Sequence, residues 1–292
     1  MAKAKFDVYE HVTQSILAEI EAGTPPWRKP WTGSTGGIAL PKRYNGEDYR
    51  GINVLMLWIM AAKHGYLSSR WMTYKQAQEL GGQVKKGEKS ATVVKYGTFT
   101  RETETGGEEE IPYARAYRVF NADQIEGLPE DYYIQPEPPR DLGTESDPEL
   151  AAFFARTGAH IVTTQEPQAY YSPAEDHIHM PPVETFHSTQ GYFATLAHEG
   201  IHWTGARKRL DRLKKFSSRE DYAFEELIAE IGNCMVCAQL CLEPEFAQSA
   251  AYVESWAARL KEDKKAIFRA ASEAQKAADY LLAAGAEKAA AA

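Results

Sequence analysis

The chain has 292 residues, of which 43% are hydrophobic and 25% charged, which is typical of a globular protein with room for two domains. The longest apolar run, residues 51–62, is too short to span a bilayer, and no apolar leader follows the N-terminus, so we expect a cytoplasmic protein with no membrane partner. The net charge is −8, yet residues 1–100 contain 14 Lys and Arg against 8 Asp and Glu, so nucleic-acid binding is not excluded.

The N-terminal part begins with helices and continues with strands. A 3.6-residue apolar periodicity predicts a helix from Lys5 to Glu21, and further helices are expected from Asn53 to His64 and from Thr73 onward. The period then changes to two residues in 91–99 and 113–120, which predicts two strands joined by an acidic tip. These elements indicate an α+β domain that contains a long β-hairpin.

A proline-rich segment separates this part from the rest of the chain. Five prolines lie among acidic residues between Pro129 and Pro148, which is typical of a semi-rigid linker. We therefore predict an N-terminal domain at 1–130, a linker at 131–147 and a C-terminal domain at 148–292.

The second domain is predicted to be mainly helical with a small sheet. Its first elements are a helix at 148–158, a strand at 159–164, and two short strands near 169–172 and 177–180. We expect the segment 176–181 to be an edge strand, to which the backbone of an extended substrate can add. The fold class is therefore α+β with two domains.

A metal-binding pattern begins in the following helix. His198 and His202 are four residues apart, so their imidazoles project from one helix face, one turn apart, and can bind the same ion. Glu199 lies beside the first histidine, near the open position of the ion. A carboxylate there can take a proton from water and return it to a leaving amine, which predicts a catalytic role for Glu199.

Two histidines leave one protein ligand to be found. Glu226 and Glu230 are four residues apart on a predicted downstream helix, so they share a face. We assign Glu226 as the third ligand and Glu230 as the acceptor that holds a ligand histidine by its other nitrogen. The reverse assignment, or the use of Glu225, stays open. The His/His/Glu set predicts one Zn²⁺ per chain, although Mn²⁺ and Co²⁺ also suit it.

Aromatic and basic residues alternate within the first 100 positions. Aromatic rings can stack on unpaired bases while cations contact the phosphates, so this composition favours binding to single-stranded DNA. Trp58 lies in an apolar helix and is expected in the core instead. The candidate DNA contacts are Trp27, Arg28, Trp31, Arg43, Tyr44, Tyr49, Arg50, Arg70, Lys85, Lys86 and Lys89.

Several segments resemble a known family. The N-terminal segments 43–55, 70–77, 80–89 and 119–129 are similar to the N-terminal domain of ArdC-type antirestriction proteins. The metal motif, from His198 to Gly205, together with the glutamates that follow it, resembles the zincin-like C-terminal domain of the same family. The resemblance implies a protein of conjugative plasmids that binds single-stranded DNA and shields incoming plasmid DNA from restriction enzymes.

Two functional hypotheses follow from this reading. In the first, the chain is a gluzincin-type metallopeptidase that cleaves proteins bound to DNA, and the intact Glu199 favours it because a structural metal site needs no base. In the second, it is a non-enzymatic protector that coats DNA or binds a partner and has a structural or vestigial metal site. The expected partners are single-stranded DNA and either a DNA-bound protein substrate or the host restriction machinery. We expect a monomer.

Overall fold

The computed structural model divides the chain into two compact units. The first comprises the described parts of 1–26 and 41–135, and the second those of 27–40 and 136–292. The short stretch at Trp27 and Arg28 therefore belongs to the second unit, although most of the first unit follows it in the sequence. The structure describes residues 6–28, 39–102, 108–136, 147–213, 218–244 and 250–286.

The first unit contains helices packed against an antiparallel hairpin, as the sequence predicted. Its four-stranded sheet has the order β1-β2-β5-β4, and β3 pairs with β6 in a second, two-stranded sheet. The elements are α1 (Val8–Glu21), β1 (Lys42–Arg43), α2 (Ile52–His64), β2 (Arg70–Met72), α3 (Tyr74–Glu79), β3 (Gln83–Val84), β4 (Ala91–Glu102), β5 (Glu108–Asn121) and β6 (Ile125–Glu126).

Local sequence signals explain why these elements form. Helix α3 begins after Thr73, whose hydroxyl accepts from the backbone N–H of Gln76 while the Gln76 side chain accepts from the backbone N–H of Thr73. Helix α2 is fixed to the hairpin because the Asn53 amide exchanges two hydrogen bonds with the backbone of Val94, at 2.7 and 2.8 Å. Trp58 is buried in α2, as expected. These two partly buried hydrogen bonds hold α2 against the first half of β4.

The second unit is mainly helical and has a three-stranded sheet of order β7-β9-β8. Its central strand, β9, pairs in parallel with β7 and in antiparallel with β8. The prediction that 176–181 is an edge strand is therefore wrong, and β8 is an edge strand instead. The elements are α4 (Pro148–Arg156), β7 (His160–Thr163), β8 (Tyr170–Ser172), β9 (His177–Met180), α5 (Thr189–Thr204), α6 (Arg219–Leu240), α7 (Ala250–Glu262) and α8 (Ala266–Gly285).

Helices α5 and α6 approach closely because glycine stands at their contact. A Cβ atom at Gly232 would lie 3.1 Å from two carbons of the Ile201 side chain, tighter than ordinary contact. This approach brings the two helices that contain the predicted metal ligands side by side. Among the helices of the described residues, none combines the length and apolarity needed to cross a membrane.

Candidate metal centre

The two motif histidines lie one turn apart on α5. The helix begins after Ser188, whose hydroxyl accepts from the backbone N–H of Gly191 at 3.0 Å. From that start, the imidazoles of His198 and His202 fall on one face, with ring centroids 5.0 Å apart. Glu199 is buried beside them, at 8% exposure, and lines the same cleft.

Helix α6 places Glu226 between the two imidazoles. Its carboxylate oxygens lie 3.6 Å from Nε2 of His198 and 3.4 Å from Nε2 of His202. Ligand atoms around a tetrahedral zinc ion are about 3.3 Å from one another, because each metal bond is about 2.0–2.1 Å long. The three side chains thus fit a single divalent ion, and their ligand atoms all lie within 4.8 Å of one another.

The second ring nitrogen of His202 faces Glu225. Its Nδ1 atom lies 3.2 Å from Oε1 of Glu225, and that carboxylate accepts two further hydrogen bonds from Arg212, at 2.7 and 2.8 Å. Arg212 also donates to the backbone carbonyl of Ile201 at 2.8 Å, so it ties the carboxylate to α5. Glu225 therefore orients the ring whose Nε2 points to Glu226.

Glu230 has a different role from the predicted one. Its carboxylate accepts a hydrogen bond from the Trp27 indole at 2.8 Å, and its two oxygens accept from Nε and Nη2 of Arg28. The Cys234 thiol, one turn later, donates to the backbone carbonyl of Trp27 at 3.3 Å. The prediction that Glu230 holds a ligand histidine is therefore wrong. Glu230 lies one turn after Glu226 on α6, so its side chain is too far along the helix to reach the histidines and contacts Trp27 instead.

A cleft of about 530 Å³ opens over the candidate centre. Tyr170 and Tyr171 of β8 line one part of its wall, and Tyr222 of α6 and Tyr252 of α7 line another. The tyrosines of the helices, and Arg212, were not identified from the sequence. Tyr222 lies four residues before Glu226, so helical spacing could have predicted that both side chains lie on the same face of α6. Its hydroxyl makes a hydrogen bond with the Glu226 carboxylate.

The electrostatics of the pocket favour a cation. Burial opposes ionisation of Glu226, but hydrogen bonds from His198 and His202 outweigh it and hold the pKa of Glu226 well below its usual range. Burial also opposes protonation of His202, yet contacts with Glu225 and Glu226 raise the pKa of its imidazole. Arg212 balances the charge of Glu225, so the ionised carboxylate of Glu226 is the negative charge that a divalent ion would balance.

Three of the predicted DNA contacts are not available for stacking or phosphate binding. Trp27 is fully buried and packs edge-on against Trp256, with centroids 5.8 Å apart. Arg28 is paired with Glu230, and Tyr49 is buried at 8% exposure. These assignments are wrong because tertiary packing uses the same aromatic and basic chemistry that single-strand binding requires. Trp31 lies outside the described residues.

The remaining candidate DNA contacts lie in the first unit, where some have hydrogen-bond or ion-pair partners and others have exposed side chains. The Arg43 guanidinium pairs with Glu47 at 3.1 Å, and that of Arg70 donates to the Arg43 carbonyl at 3.3 Å. The Lys85 ammonium donates to the Asp123 carbonyl at 2.9 Å. The other four candidates have exposed side chains: Tyr44, Arg50, Lys86 and Lys89.

Comparison with known proteins gives matches over both halves of the chain. Residues 6–120 match the model of the N-terminal domain of anti-restriction factor ArdC, and residues 148–273 match a zincin-like metallopeptidase domain. The crystal structure of the antirestriction ArdC protein from plasmid R388, in its metal-free form, has a TM-score of 0.89 and 63% identity over 96% of this chain and 98% of that one. Its Mn(II)-bound form has a TM-score of 0.85 and 62% identity over 96% and 99% of the two chains.

Sequence relatives extend the comparison. Protein y4eC of Sinorhizobium fredii is 39% identical over 94% of this chain and 91% of its own length. The DNA primase TraC of Escherichia coli is 36% identical over 97% of this chain, which corresponds to only 28% of the primase. The chain thus matches one relative along nearly its whole length and a limited part of the other.

Proposed function

Since the chain belongs to the ArdC family of antirestriction proteins and has a zincin-like C-terminal domain, we propose that it protects incoming conjugative plasmid DNA in the recipient cytoplasm by binding single strands and cleaving proteins bound to them. The convergence of His198, His202, Glu226 and Glu199 on one cleft is the observation that supports the catalytic part. A site that served only to stabilise the fold would need no buried carboxylate beside the ligands.

Each side chain of the centre has a proposed task. His198, His202 and Glu226 hold one divalent ion, which we propose to be Zn²⁺. The R388 relative was crystallised with Mn(II), and a His/His/Glu set suits both ions. When bound, such an ion supplies Lewis-acid polarisation of a peptide carbonyl and lowers the pKa of water.

The chain's own groups then move the proton and place the substrate. Glu199 accepts a proton from water in the cleft and returns it to the amine that leaves when the peptide bond breaks. Glu225 and Arg212 keep the His202 ring in the orientation that faces Glu226. Strand β8 is an edge strand with Tyr170 and Tyr171 on the cleft wall, so an extended substrate backbone can add to it.

Single-stranded DNA is the proposed partner of the first unit. Its exposed side chains include candidate contacts of both kinds, the ring of Tyr44 and the cations of Arg50, Lys86 and Lys89. Unpaired DNA is the form that enters a recipient during conjugation, so a single-strand preference would direct the metal centre to proteins on that strand.

A conjugation assay into a restricting recipient tests the proposal most directly. Plasmid transfer should rise when the wild-type chain is present and fall when Glu199→Gln replaces it, with transfer into a non-restricting recipient as the control. Protection that survives Glu199→Gln in full, with no proteolysis of DNA-bound proteins, would assign protection to DNA binding alone. Metal analysis of the same variant must find the ion retained, because Glu199 is not among the proposed ligands.

A further inference from the structure

One face of the β4–β5 hairpin combines exposed basic and aromatic side chains. In the antiparallel register, Lys95 lies opposite Arg115, Gly97 opposite Tyr113, and Val93 opposite Tyr117. Alternate residues of a strand share a face, so Tyr113, Arg115 and Tyr117 lie on the same side as Lys95. The side chains of Lys95, Arg115 and Tyr117 are exposed, and that of Tyr113 is half-buried.

The two cations on this face repel each other. Directly opposed residues of an antiparallel pair have Cβ atoms about 4.5–5.5 Å apart, and like charges at such a position destabilise the pair. Within the part of the chain that the structure describes, neither Lys95 nor Arg115 has a carboxylate partner. An anion bound between them would remove the repulsion. By contrast, Arg43 pairs with Glu47, and Lys85 donates to a backbone carbonyl.

The aromatic side chains flank these cations along β5. The Tyr113 side chain lies across Gly97, because a Cβ atom at that position would come within 2.5 Å of its hydroxyl oxygen and 2.6–2.8 Å of two ring carbons. The Arg115 guanidinium lies 5.4 Å from the Tyr113 centroid, and the Tyr117 side chain is 40% exposed. Tyr113 and Tyr117 are four residues apart, which corresponds to about 13 Å along a strand, and Arg115 lies midway between them.

We propose that this hairpin face, defined by Lys95, Tyr113, Arg115 and Tyr117, is the surface on which the chain binds single-stranded DNA. The proposal rests on the single-strand binding proposed above and gives it a location that the sequence-based candidates did not include. Phosphates would lie between Lys95 and Arg115, and an unpaired base would stack on the exposed ring of Tyr117. A duplex fits this face poorly, because its bases already stack on one another.

Fluorescence anisotropy with a labelled oligothymidine and the full chain tests the location. Lys95→Gln/Arg115→Gln should weaken binding at least tenfold and reduce the slope of log affinity against log salt by about 1.4, since each phosphate contact on a single strand contributes about 0.7. Thermal stability should be unchanged or higher, because the repulsion is gone. Tyr117→Ala should weaken binding roughly tenfold, and Tyr117→Phe should restore it.

The matched control removes two cations elsewhere in the same unit. Lys63→Gln/Lys75→Gln changes two exposed lysines of α2 and α3 and should keep both affinity and salt slope. If the wild-type chain binds no oligothymidine, the proposed single-strand function fails. If the wild type binds and the hairpin variants bind equally well, the location is overturned. Displacement of oligothymidine by polyglutamate of equal charge would assign the face to an acidic protein and overturn the DNA proposal.

Discussion

Oε1 of Glu225 lies 3.2 Å from Nδ1 of His202, while Oε1 of the adjacent Glu226 lies 3.4 Å from Nε2 of the same ring. Consecutive helix residues are about 100° apart around the axis, so the two carboxylates reach opposite nitrogens of one imidazole. Glu226 therefore lies on the same side of the His202 ring as the other candidate ligand, His198. Glu225 lies on the opposite side, at Nδ1. In the proposed centre, Glu226 would bind the ion and its neighbour Glu225 would orient the ring.

Substitution of these glutamates should affect metal affinity to different degrees. Glu225→Gln should lower affinity for Zn²⁺ or Mn²⁺ about 10- to 100-fold, because it weakens the contact that orients His202. Glu226→Gln should lower it further, since it removes a charged ligand. Calorimetric titration measures both, with Glu220→Gln, on the exposed start of α6, as the control. The opposite order for Glu225 and Glu226 would contradict the ligand assignment.

The salt bridge between Arg28 and Glu230 should stabilise the second unit. Glu230 is 4% exposed, so Arg28→Met leaves a buried carboxylate with the Trp27 indole as a neutral donor. Loss of one partner of a buried pair costs about 3–5 kcal/mol of unfolding free energy, whereas Arg28→Met/Glu230→Leu should cost less than the sum of its single changes.

Urea denaturation measures these differences. Arg43→Met, at an exposed pair with Glu47, serves as the control and should cost no more than about 1 kcal/mol. A stability of Arg28→Met equal to that of the wild type, together with weaker DNA binding, would restore the original assignment of Arg28 to the DNA surface.

The contact of Glu230 with Arg28 could not be predicted from the sequence, whereas the helix and strand periods could. The position of His198 and His202 on one face depends on helix geometry alone, so the sequence predicted it correctly. The two-residue period of the strands likewise predicted the hairpin. The partner of Glu230 depends on where the chain goes after Pro26, which no local pattern encodes. Spacing along one helix likewise cannot decide between Glu225 and Glu230 behind His202. That choice follows from the close approach of α5 and α6 at Gly232.

Acid should weaken a second ion pair, between Asp176 and Arg209. Hydrogen bonds from Arg209, with smaller contributions from Lys208 and Tyr171, hold the pKa of Asp176 well below its usual range. A group whose pKa is lower in the folded than in the unfolded protein stabilises the fold at pH values above its unfolded pKa of about 3.9. This stabilisation is lost as the pH falls toward the pKa of the folded state. Asp176→Asn should therefore cost about 2–3 kcal/mol at pH 7 and progressively less below pH 4.

Denaturation curves at several pH values measure this difference between wild type and variant. Glu184→Gln, which changes an exposed carboxylate of the same unit, should show no such dependence. A cost for Asp176→Asn that stays constant down to pH 2 would mean that the carboxylate charge does not stabilise the fold.

Proteolysis should depend both on Glu199 and on DNA. Glu199→Gln removes the group that we propose accepts the proton, so cleavage should fall by about 10²- to 10⁴-fold while the ion and DNA affinity are retained. A substrate protein on the same strand is presented at high effective concentration, so cleavage of a single-strand-binding protein should be at least tenfold faster with DNA than without it. Added salt should reduce that enhancement, because it weakens phosphate contacts.

Gel analysis of a DNA-binding protein incubated with the chain, with and without single strands, separates the two requirements. Lys95→Gln/Arg115→Gln should lose the enhancement by DNA but keep the slower cleavage of the free protein, because its metal centre is intact. Glu199→Gln should lose both rates. Cleavage that persists in Glu199→Gln would reject the catalytic role of this carboxylate. Equal rates with and without DNA in the wild type would mean that binding of the strand does not present the substrate to the cleft.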